Sequence, residues 1–383
     1  MRTRDVARSA QGSPARGERT PDLPRAVAVA WWALRFIAAV VLFVGALQVM
    51  KTGAQGLDVL AQGGWLVRNV GSTFGLGWLG AVIVLSGSPV AASALALVNA
   101  GSISETQGFT MLTGSRVGAA FVVLLVAVIY ALRSGSGERL KPVSTAVMAL
   151  STTALIYIPG AILGWFLLRV EGFRSLDLSL GGGFGDAIDL VYGDLLELIA
   201  GWHGLVLFAG GLGLLLVAFK LIDSVVPDMD DAKIERSRLD WLRSRWPMFG
   251  LGCLVALIAM SVSVALTVLV PLVSKGYVKR EDILPYIMGA NITTLGDTLV
   301  AALLLDSSGR ATGVPPTVPI VLAGIVGTTI VSLVLLGLFY PHVKSGIWRF
   351  QRQMTKSKPR LAAFTAALFL VPLSIIAISG VVA

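Results

Sequence analysis

Four serines at matching places in two stretches of the chain have the chemistry to bind a small ion. Ser86 and Ser88 lie in the first stretch, and Ser261 and Ser263 lie at the corresponding positions of the second. Hydroxyl oxygens are hard, uncharged ligands that suit a sodium ion, and hydroxyl or backbone N–H groups can hold an oxyanion. The alternative for any one serine is a hydroxyl bonded to its own helix. Their paired positions favour a binding site.

The serines belong to an internal repeat. Residues 85–118 align without a gap on residues 260–293, and LFVGAL at 42–47 resembles LFAGGL at 207–212. Apolar segments often agree by chance, so the constant register and the shared glycines carry more weight than the number of identities. We interpret the repeat as an internal duplication, which is a common architecture of secondary transporters.

The composition is that of a helical membrane protein. Of the 383 residues, 55% are hydrophobic and 14% are charged, and the mean hydropathy is +0.80. Long apolar runs alternate with short polar loops, whereas membrane strands would give segments of about ten alternating residues. We therefore predict an all-α membrane protein, a polytopic helical bundle. The net charge of +9 is typical of basic cytoplasmic loops and does not by itself indicate a nucleic-acid partner.

The middle of residues 71–100 reads SGSPV, a sequence that breaks a helix. A proline after Ser-Gly-Ser removes helical hydrogen bonds that lipid cannot replace, so this backbone must face protein or a water-filled cavity. We predict a re-entrant helical hairpin at 71–100 and a second one at 249–273. The second segment lacks a central proline, so a plain helix is its alternative.

The positions of the cations orient the chain in the plasma membrane. A cytoplasmic N-terminus puts the cation-rich loops inside and leaves the cation-poor segments 171–194 and 306–313 outside, as the positive-inside rule requires. All loops obey this rule only if both hairpins return to the side they entered. The two halves are then inverted-topology repeats whose hairpins meet near the middle of the bilayer.

This orientation divides the chain into segments with different predicted environments. They are a disordered basic cytoplasmic tail (1–25), a first transmembrane repeat (26–170), a polar extracellular linker (171–194), a second transmembrane repeat (195–342), and a basic link with a C-terminal transmembrane helix (343–383).

Two ionisable residues, Arg116 and Asp297, lie furthest from the helix ends in the predicted repeats. Charges at that depth are costly and usually face a cavity, a partner or a substrate. A guanidinium can grip an oxyanion through paired donors and can replace a coupling cation. The alternative is a structural ion pair or an arginine that reaches back to the headgroups. Both residues are candidates for the binding site.

The sequence resembles the type II sodium-dependent phosphate cotransporters. In that family each repeat carries a Gln-Ser-Ser-Ser hairpin followed by a Gly-x-Asn-x-Gly-Thr stretch. The resemblance runs from about residue 36 to residue 305, includes the lead-in LFVGALQVMKTGAQGL, and is clearest at GANITT, residues 289–294. It implies sodium-coupled phosphate uptake. The ligands it implies are Ser86, Ser88, Ser261, Ser263, Asn291, Thr293 and Thr294.

The chain is a divergent example of that pattern. The family's glutamines and middle serines are replaced, and so are an asparagine of the first repeat and a glycine of the second. The replacing residues are Leu85, Met260, Gly87, Val262, Arg116 and Thr293.

We therefore expect a secondary active transporter that takes up inorganic phosphate or a related small oxyanion by alternating access, with sodium as the candidate coupling ion. The sequence has no ATP-binding signature, so a gradient must drive uphill transport. We expect no enzymatic activity, no resident metal or cofactor, and no nucleic-acid partner. The alternative is a membrane scaffold or sensor that keeps the fold but has lost its coupling-ion ligands, or a protein of different specificity.

Overall fold

The structure is a computed structural model. It describes residues 25–57, 67–133, 140–176, 178, 182–225, 244–259, 265–266, 269, 273, 278–309 and 313–382. All regular secondary structure within these ranges is helical. Seven helical segments among them are long and apolar enough to cross a membrane. The predicted all-α fold is confirmed for the described residues, and the seven apolar segments are consistent with a multi-pass membrane protein.

The helices are numbered in chain order. They are α1 (Arg25–Gln55), α2 (Val70–Val84), α3 (Ser88–Asn99), α4 (Glu105–Ala119), α5 (Phe121–Arg133), α6 (Leu140–Leu167), α7 (Glu171–Arg174), α8 (Gly182–Ile199), α9 (Gly204–Val225), α10 (Arg245–Ala259), α11 (Ile283–Thr293), α12 (Gly296–Ser307), α13 (Val318–Gly337), α14 (Tyr340–Thr355) and α15 (Lys358–Val382). The candidate crossings are Ala33–Gln55, Glu105–Ile129, Pro142–Leu167, Gly204–Leu221, Ile283–Ser307, Val318–Gly337 and Lys358–Ser379.

A break separates α2 from α3 at the SGSPV sequence. Leu85 ends α2 in the left-handed conformation with φ 57°, and Pro89 lies in the first turn of α3, where its missing N–H costs no helical bond. These helices have 15 and 12 residues. At 1.5 Å per residue they span about 18–22 Å, less than the roughly 30 Å of membrane hydrocarbon. Neither helix is long enough to cross alone.

The beginnings of α2 and α4 lie side by side. The Gln107 side-chain amide donates to the Val67 carbonyl at 2.5 Å, and the Thr73 and Thr110 hydroxyls share a hydrogen bond of 2.8 Å one turn further along. Helices α2 and α4 therefore run in the same direction, and α3 returns the chain between them.

The packing of α2 on α4 is repeated by α10 on α11. Gly77 of α2 lies against the Met111 carbonyl, and Gly252 of α10 lies against the Tyr286 carbonyl, so that a side chain at either glycine would collide with backbone. Met111 aligns with Tyr286 within the repeat, and Gly77 and Gly252 lie just before the aligned stretches at the same offset. A further aligned pair of contacts joins Gly114 to Phe74 and Gly289 to Phe249. The sequence register is thus reflected in equivalent helix packing.

Two antiparallel helix pairs join the first half of the chain to the second. In the pair of α1 and α9, Gly53 packs on Gly204 while Gly211 packs on Ala46. Ala46 and Gly211 are also aligned residues of LFVGAL and LFAGGL, so equivalent positions face each other. Helices α6 and α13 form the second antiparallel pair, through close contacts of Gly160 with Gly327 and of Gly164 with Ala323.

The polar linker expected at 171–194 is partly helical. Helix α8 occupies Gly182–Ile199, and the following crossing begins at Gly204 rather than at Leu195. Ile188 is buried, and the Tyr192 hydroxyl donates to the Val41 carbonyl at 2.6 Å. The Tyr192 side chain also packs on Gly45 of α1, so α8 is held against α1 despite its glycines and acidic residues.

One helix break differs from the sequence predictions, and two predicted segments fall mostly outside the described residues. The crossing that contains Arg116 is interrupted at Ala120, between α4 and α5, a break that the sequence analysis above does not predict. The predicted tail, except for its last residue, lies outside the described residues, as does most of the second predicted hairpin beyond Ala259.

Candidate functional site

An ion pair between Arg116 and Asp297 lies in the interior, between the two halves of the chain. Arg116 Nη2 is 3.1 Å from Asp297 Oδ1, and the two side chains are 0% and 1% exposed. Arg116 is the largest fully buried side chain among the described residues. Because an isolated charge in this environment would be very costly, the two charges stabilise each other.

Two hydroxyl groups complete the cluster around the ion pair. Arg116 Nη1 donates to Ser88 Oγ at 3.3 Å, and Arg116 Nη2 donates to Thr298 Oγ1. The Thr298 hydroxyl in turn donates to Asp297 Oδ1 at 2.8 Å. We call Ser88, Arg116, Asp297 and Thr298 the ion-pair cluster.

The ion-pair cluster is assembled where helices begin and end. Ser88 begins α3, Asp297 lies in the first turn of α12, and Arg116 lies in the last turn of α4. Helix N-termini attract negative charge and helix C-termini attract positive charge, so Asp297 and Arg116 each lie at the favourable end of their own helix. The breaks between consecutive helices therefore position all three side chains.

Two buried polar atoms of the cluster lack a hydrogen-bond partner among the described residues. They are Arg116 Nε, which is a donor, and Asp297 Oδ2, which is an acceptor. Buried polar groups are normally satisfied by protein or by ordered water. The cluster can therefore offer one further donor and one further acceptor to a small polar ligand.

Asn291, the residue aligned with Arg116, forms a separate polar contact. Its side-chain amide donates to Thr153 Oγ1 at 3.1 Å and to the Ile287 carbonyl at 2.8 Å. The Tyr157 hydroxyl donates to the Asn291 carbonyl at 2.6 Å and interacts with the Thr294 side chain. Asn291 thus fixes α6 against α11.

The other sequence-predicted ligands have different surroundings. Thr293 donates to the Cys253 carbonyl at 2.9 Å, and Thr294 donates to the Asn291 carbonyl at 3.2 Å. Ser86 lies half-buried in the turn between α2 and α3. Ser261 and Ser263 lie outside the described residues. Of the predicted set, the structure brings Ser88, Arg116 and Asp297 into direct contact.

Thr298, Tyr157 and Thr153 were missed by the sequence analysis. Thr298 directly follows Asp297, and this adjacency is the one sequence signal for any of the three. Tyr157 and Thr153 lie one turn apart on an apolar crossing helix, and a single hydroxyl on such a helix is more often bonded to its own backbone. Their contacts with α11 depend on helix packing, for which the sequence has no local signal.

No group of three histidine, cysteine, aspartate or glutamate side chains that could hold a metal ion occurs within the part of the chain the structure describes. Comparison of the chain with protein-family models, with curated proteins and with solved structures gave no match. The geometry of the ion-pair cluster and the internal repeat are therefore the basis for proposing a function.

Proposed function

We propose that the chain is a secondary transporter of a small oxyanion, with inorganic phosphate as the first candidate, and that the ion-pair cluster forms part of the substrate site. The observation that carries the proposal is the fully buried Arg116 beside Asp297. Arg116 Nε and Asp297 Oδ2 have no hydrogen-bond partner among the described residues. Buried charges inside membrane proteins usually mark substrate or ion pathways.

We further propose that α2 and α3 form a re-entrant hairpin and that the two halves are inverted repeats. The short length of the two helices and the contact of Val67 with Gln107 support a hairpin whose two ends lie on the same side of the membrane. The antiparallel pairs of α1 with α9 and of α6 with α13 support inversion, because each joins one half to the other in opposite directions.

In the proposed transport step an oxyanion competes with Asp297 for the Arg116 guanidinium. A guanidinium binds an oxyanion through two parallel N–H donors, which gives both affinity and orientation. The released carboxylate then needs a cation. Asp297, with the hydroxyls of Ser88 and Thr298 beside it, offers hard oxygen ligands for a sodium ion. Substrate and sodium would thus bind together, and the Arg116–Asp297 ion pair would re-form after both are released.

Phosphate uptake by the purified chain in proteoliposomes tests this proposal. We expect radiolabelled phosphate to accumulate under an inward sodium gradient and to fail to accumulate when potassium replaces sodium. Arg116→Lys keeps the charge but loses the paired donors, so it should weaken phosphate affinity at least about tenfold. Lys220→Gln, which changes an exposed cation on α9, is the control and should transport normally.

A doubly neutral variant, Arg116→Gln with Asp297→Asn, separates folding from function. It removes both buried charges together and so avoids an unpaired one. We expect it to fold and to lose uptake. Uptake at the wild-type rate by this double variant would contradict the assigned role of the ion-pair cluster. Arg116→Ala that transports with unchanged phosphate affinity would also contradict it.

The second candidate is a membrane sensor or scaffold that keeps this fold. It is favoured by the ion pair itself, because Arg116 and Asp297 neutralise each other without any bound ion. A sensor should bind phosphate in equilibrium dialysis yet transport nothing under a gradient of sodium or of protons, whereas a scaffold should neither bind nor transport it.

A further inference from the structure

A large apolar groove lies on the flank of the bundle, and none of its lining residues belongs to the ion-pair cluster. Its volume is about 780 Å³, and its walls come from α6, α14 and α15, with Trp78 and Val117 also lining it. This volume lies within the range of roughly 300–1,000 Å³ typical of ligand sites. The lining is almost entirely apolar, so the groove suits a hydrocarbon ligand.

The groove is open at apolar side chains that face out of the bundle. Ile158 on α6 is 50% exposed and Val371 on α15 is 42% exposed. Only 11% of the residues in the most apolar part of the α15 crossing are buried inside the protein. In a bilayer this flank faces hydrocarbon, so an apolar chain must fill the groove.

Helix α14 forms one wall of the groove and is amphipathic. Ile347 is buried, whereas Arg349 and Arg352 are exposed. The groove residues His342, Gly346 and Phe350 follow one another at intervals of one helical turn along α14. A helix with one apolar and one cationic face is typical of the membrane interface.

The end of the groove beyond Phe350 is cationic. Residues 340–360 contain six lysines and arginines and no acidic residue, and Lys344 of this set pairs with Asp282 at 3.7 Å. A second cavity of about 350 Å³ is lined by Gln353, Met354 and Arg360 and shares Phe364 with the groove. A large apolar space thus adjoins a smaller one whose lining includes the cationic Arg360.

We propose that the groove is a binding site for an anionic phospholipid of the leaflet on the α14 side. One acyl chain lies in the groove along Gly346 and Phe350, and the headgroup phosphate lies by Arg349 and Arg360. Charge complementarity selects this occupant, because an uncharged lipid would fill the groove but make no use of the cationic end. The site is separate from the ion-pair cluster and does not depend on the proposed transport function.

Native mass spectrometry of the delipidated, full-length protein in detergent tests this site. The probes are dioleoyl phosphatidylglycerol and dioleoyl phosphatidylcholine, which differ in headgroup charge. We expect one phosphatidylglycerol to bind at least about tenfold more tightly than phosphatidylcholine, because each nearby arginine adds attraction to an anionic headgroup. Equal affinity for the two lipids would overturn the proposal.

Two kinds of variant locate the site. Gly346→Trp places a bulky side chain in the groove, and a Cβ at Gly346 would meet no atom within 4 Å, so it should reduce phosphatidylglycerol binding at least about tenfold. The matched control, Gly250→Trp on α10, likewise meets no atom within 4 Å at its Cβ and should bind normally. Ala367→Trp, which fills the groove from α15, gives an independent test if Gly346→Trp fails to fold.

The double variant Arg349→Gln with Arg360→Gln tests the headgroup assignment. It should lower phosphatidylglycerol affinity to that of phosphatidylcholine and leave phosphatidylcholine affinity unchanged. Unchanged preference in this variant, or unchanged binding in both tryptophan variants, would overturn the proposal. So would a dimer of the wild-type chain that Gly346→Trp dissociates, because a second copy would then be the occupant.

Discussion

Arg116 and Asp297 are separated by 181 residues in sequence, yet their side chains form an ion pair of 3.1 Å in the interior. The pair joins the last turn of α4 to the first turn of α12 and so connects the two halves of the chain. A buried charge at either position depends on the opposite charge at the other for its stability, which gives the pair a structural role. A third charge that binds beside the pair would weaken the attraction between Arg116 and Asp297.

Removal of one member of this pair should destabilise the protein more than removal of both. We expect Arg116→Gln or Asp297→Asn alone to cost about 3–5 kcal/mol, because each leaves a buried charge uncompensated. The double variant should be within about 1–2 kcal/mol of the wild type, since the remaining amides can still bond to each other. Chemical unfolding in detergent, followed by tryptophan fluorescence, measures the three free energies.

The control for this set is Lys220→Gln, which changes a cation exposed on α9 and should change stability by less than about 0.5 kcal/mol. Additive effects of the two single substitutions would mean that the ion pair contributes no coupling energy.

The glycines of the sequence repeat should be equally intolerant of a side chain. A methyl group at Gly77 would collide with the Met111 carbonyl, and one at Gly252 would collide with the Tyr286 carbonyl. We expect Gly77→Ala and Gly252→Ala each to destabilise the protein by about 1–3 kcal/mol, because backbone on the facing helix must move. Thermal unfolding in the same detergent measures both.

Gly250→Ala is a matched control on the same helix as Gly252. A Cβ at Gly250 would meet no atom within 4 Å, and alanine favours the helix by about 1 kcal/mol over glycine. We expect this variant to be as stable as the wild type or more so. A large loss from Gly77→Ala with none from Gly252→Ala would show that the two contacts are not equivalent.

The sequence predicted the parts of this architecture that local chemistry determines. Pro89 indicated the break between α2 and α3, because proline has no N–H to donate and its ring clashes with the preceding helical turn. The repeat register predicted which residues correspond, and the aligned glycine contacts follow that register. The depth of Arg116 and Asp297 in the predicted crossings marked both as unusual, with a structural ion pair as one alternative, and the two are paired.

The parts that the sequence did not predict depend on packing between distant segments. Helix α8 contains glycines and acidic residues that suggested a linker, but Ile188 is buried and Tyr192 packs against α1. Tyr157 gains its role only when α6 meets the Asn291 carbonyl. Tertiary contacts of this kind can override local helix propensity, and they have no sequence period of their own.

Asp306 should be important for the stability of the second half. Its buried carboxylate accepts hydrogen bonds from the Thr317 and Val318 backbone N–H groups at 2.8–3.0 Å, and from the Thr317 hydroxyl at 3.0 Å, at the beginning of α13. We expect Asp306→Ala to cost about 2 kcal/mol or more, because it leaves these donors buried without an acceptor. Asp306→Asn keeps one acceptor and should cost less.

Thermal unfolding of Asp306→Ala, Asp306→Asn and the exposed control Asp194→Ala ranks these losses. Asp194 of α8 is exposed, so its removal should have little effect. Equal stability of all three variants would show that Asp306 does not hold the beginning of α13.

The proposed re-entrant hairpin predicts which loops share one face of the membrane. Cys253→Ser removes the only native cysteine and serves as the background. Arg68→Cys and Ser104→Cys then place single cysteines before α2 and after α3. The two cysteines should react alike with a membrane-impermeant maleimide. The two positions lie at the adjacent beginnings of α2 and α4. With the N-terminus in the cytoplasm both should label from outside intact cells, whereas a cysteine at Ser345 on α14 should label only after permeabilisation. Labelling of Arg68→Cys and Ser104→Cys from opposite faces would mean that α2 and α3 together cross the membrane, and the inverted repeat would then lose its first hairpin.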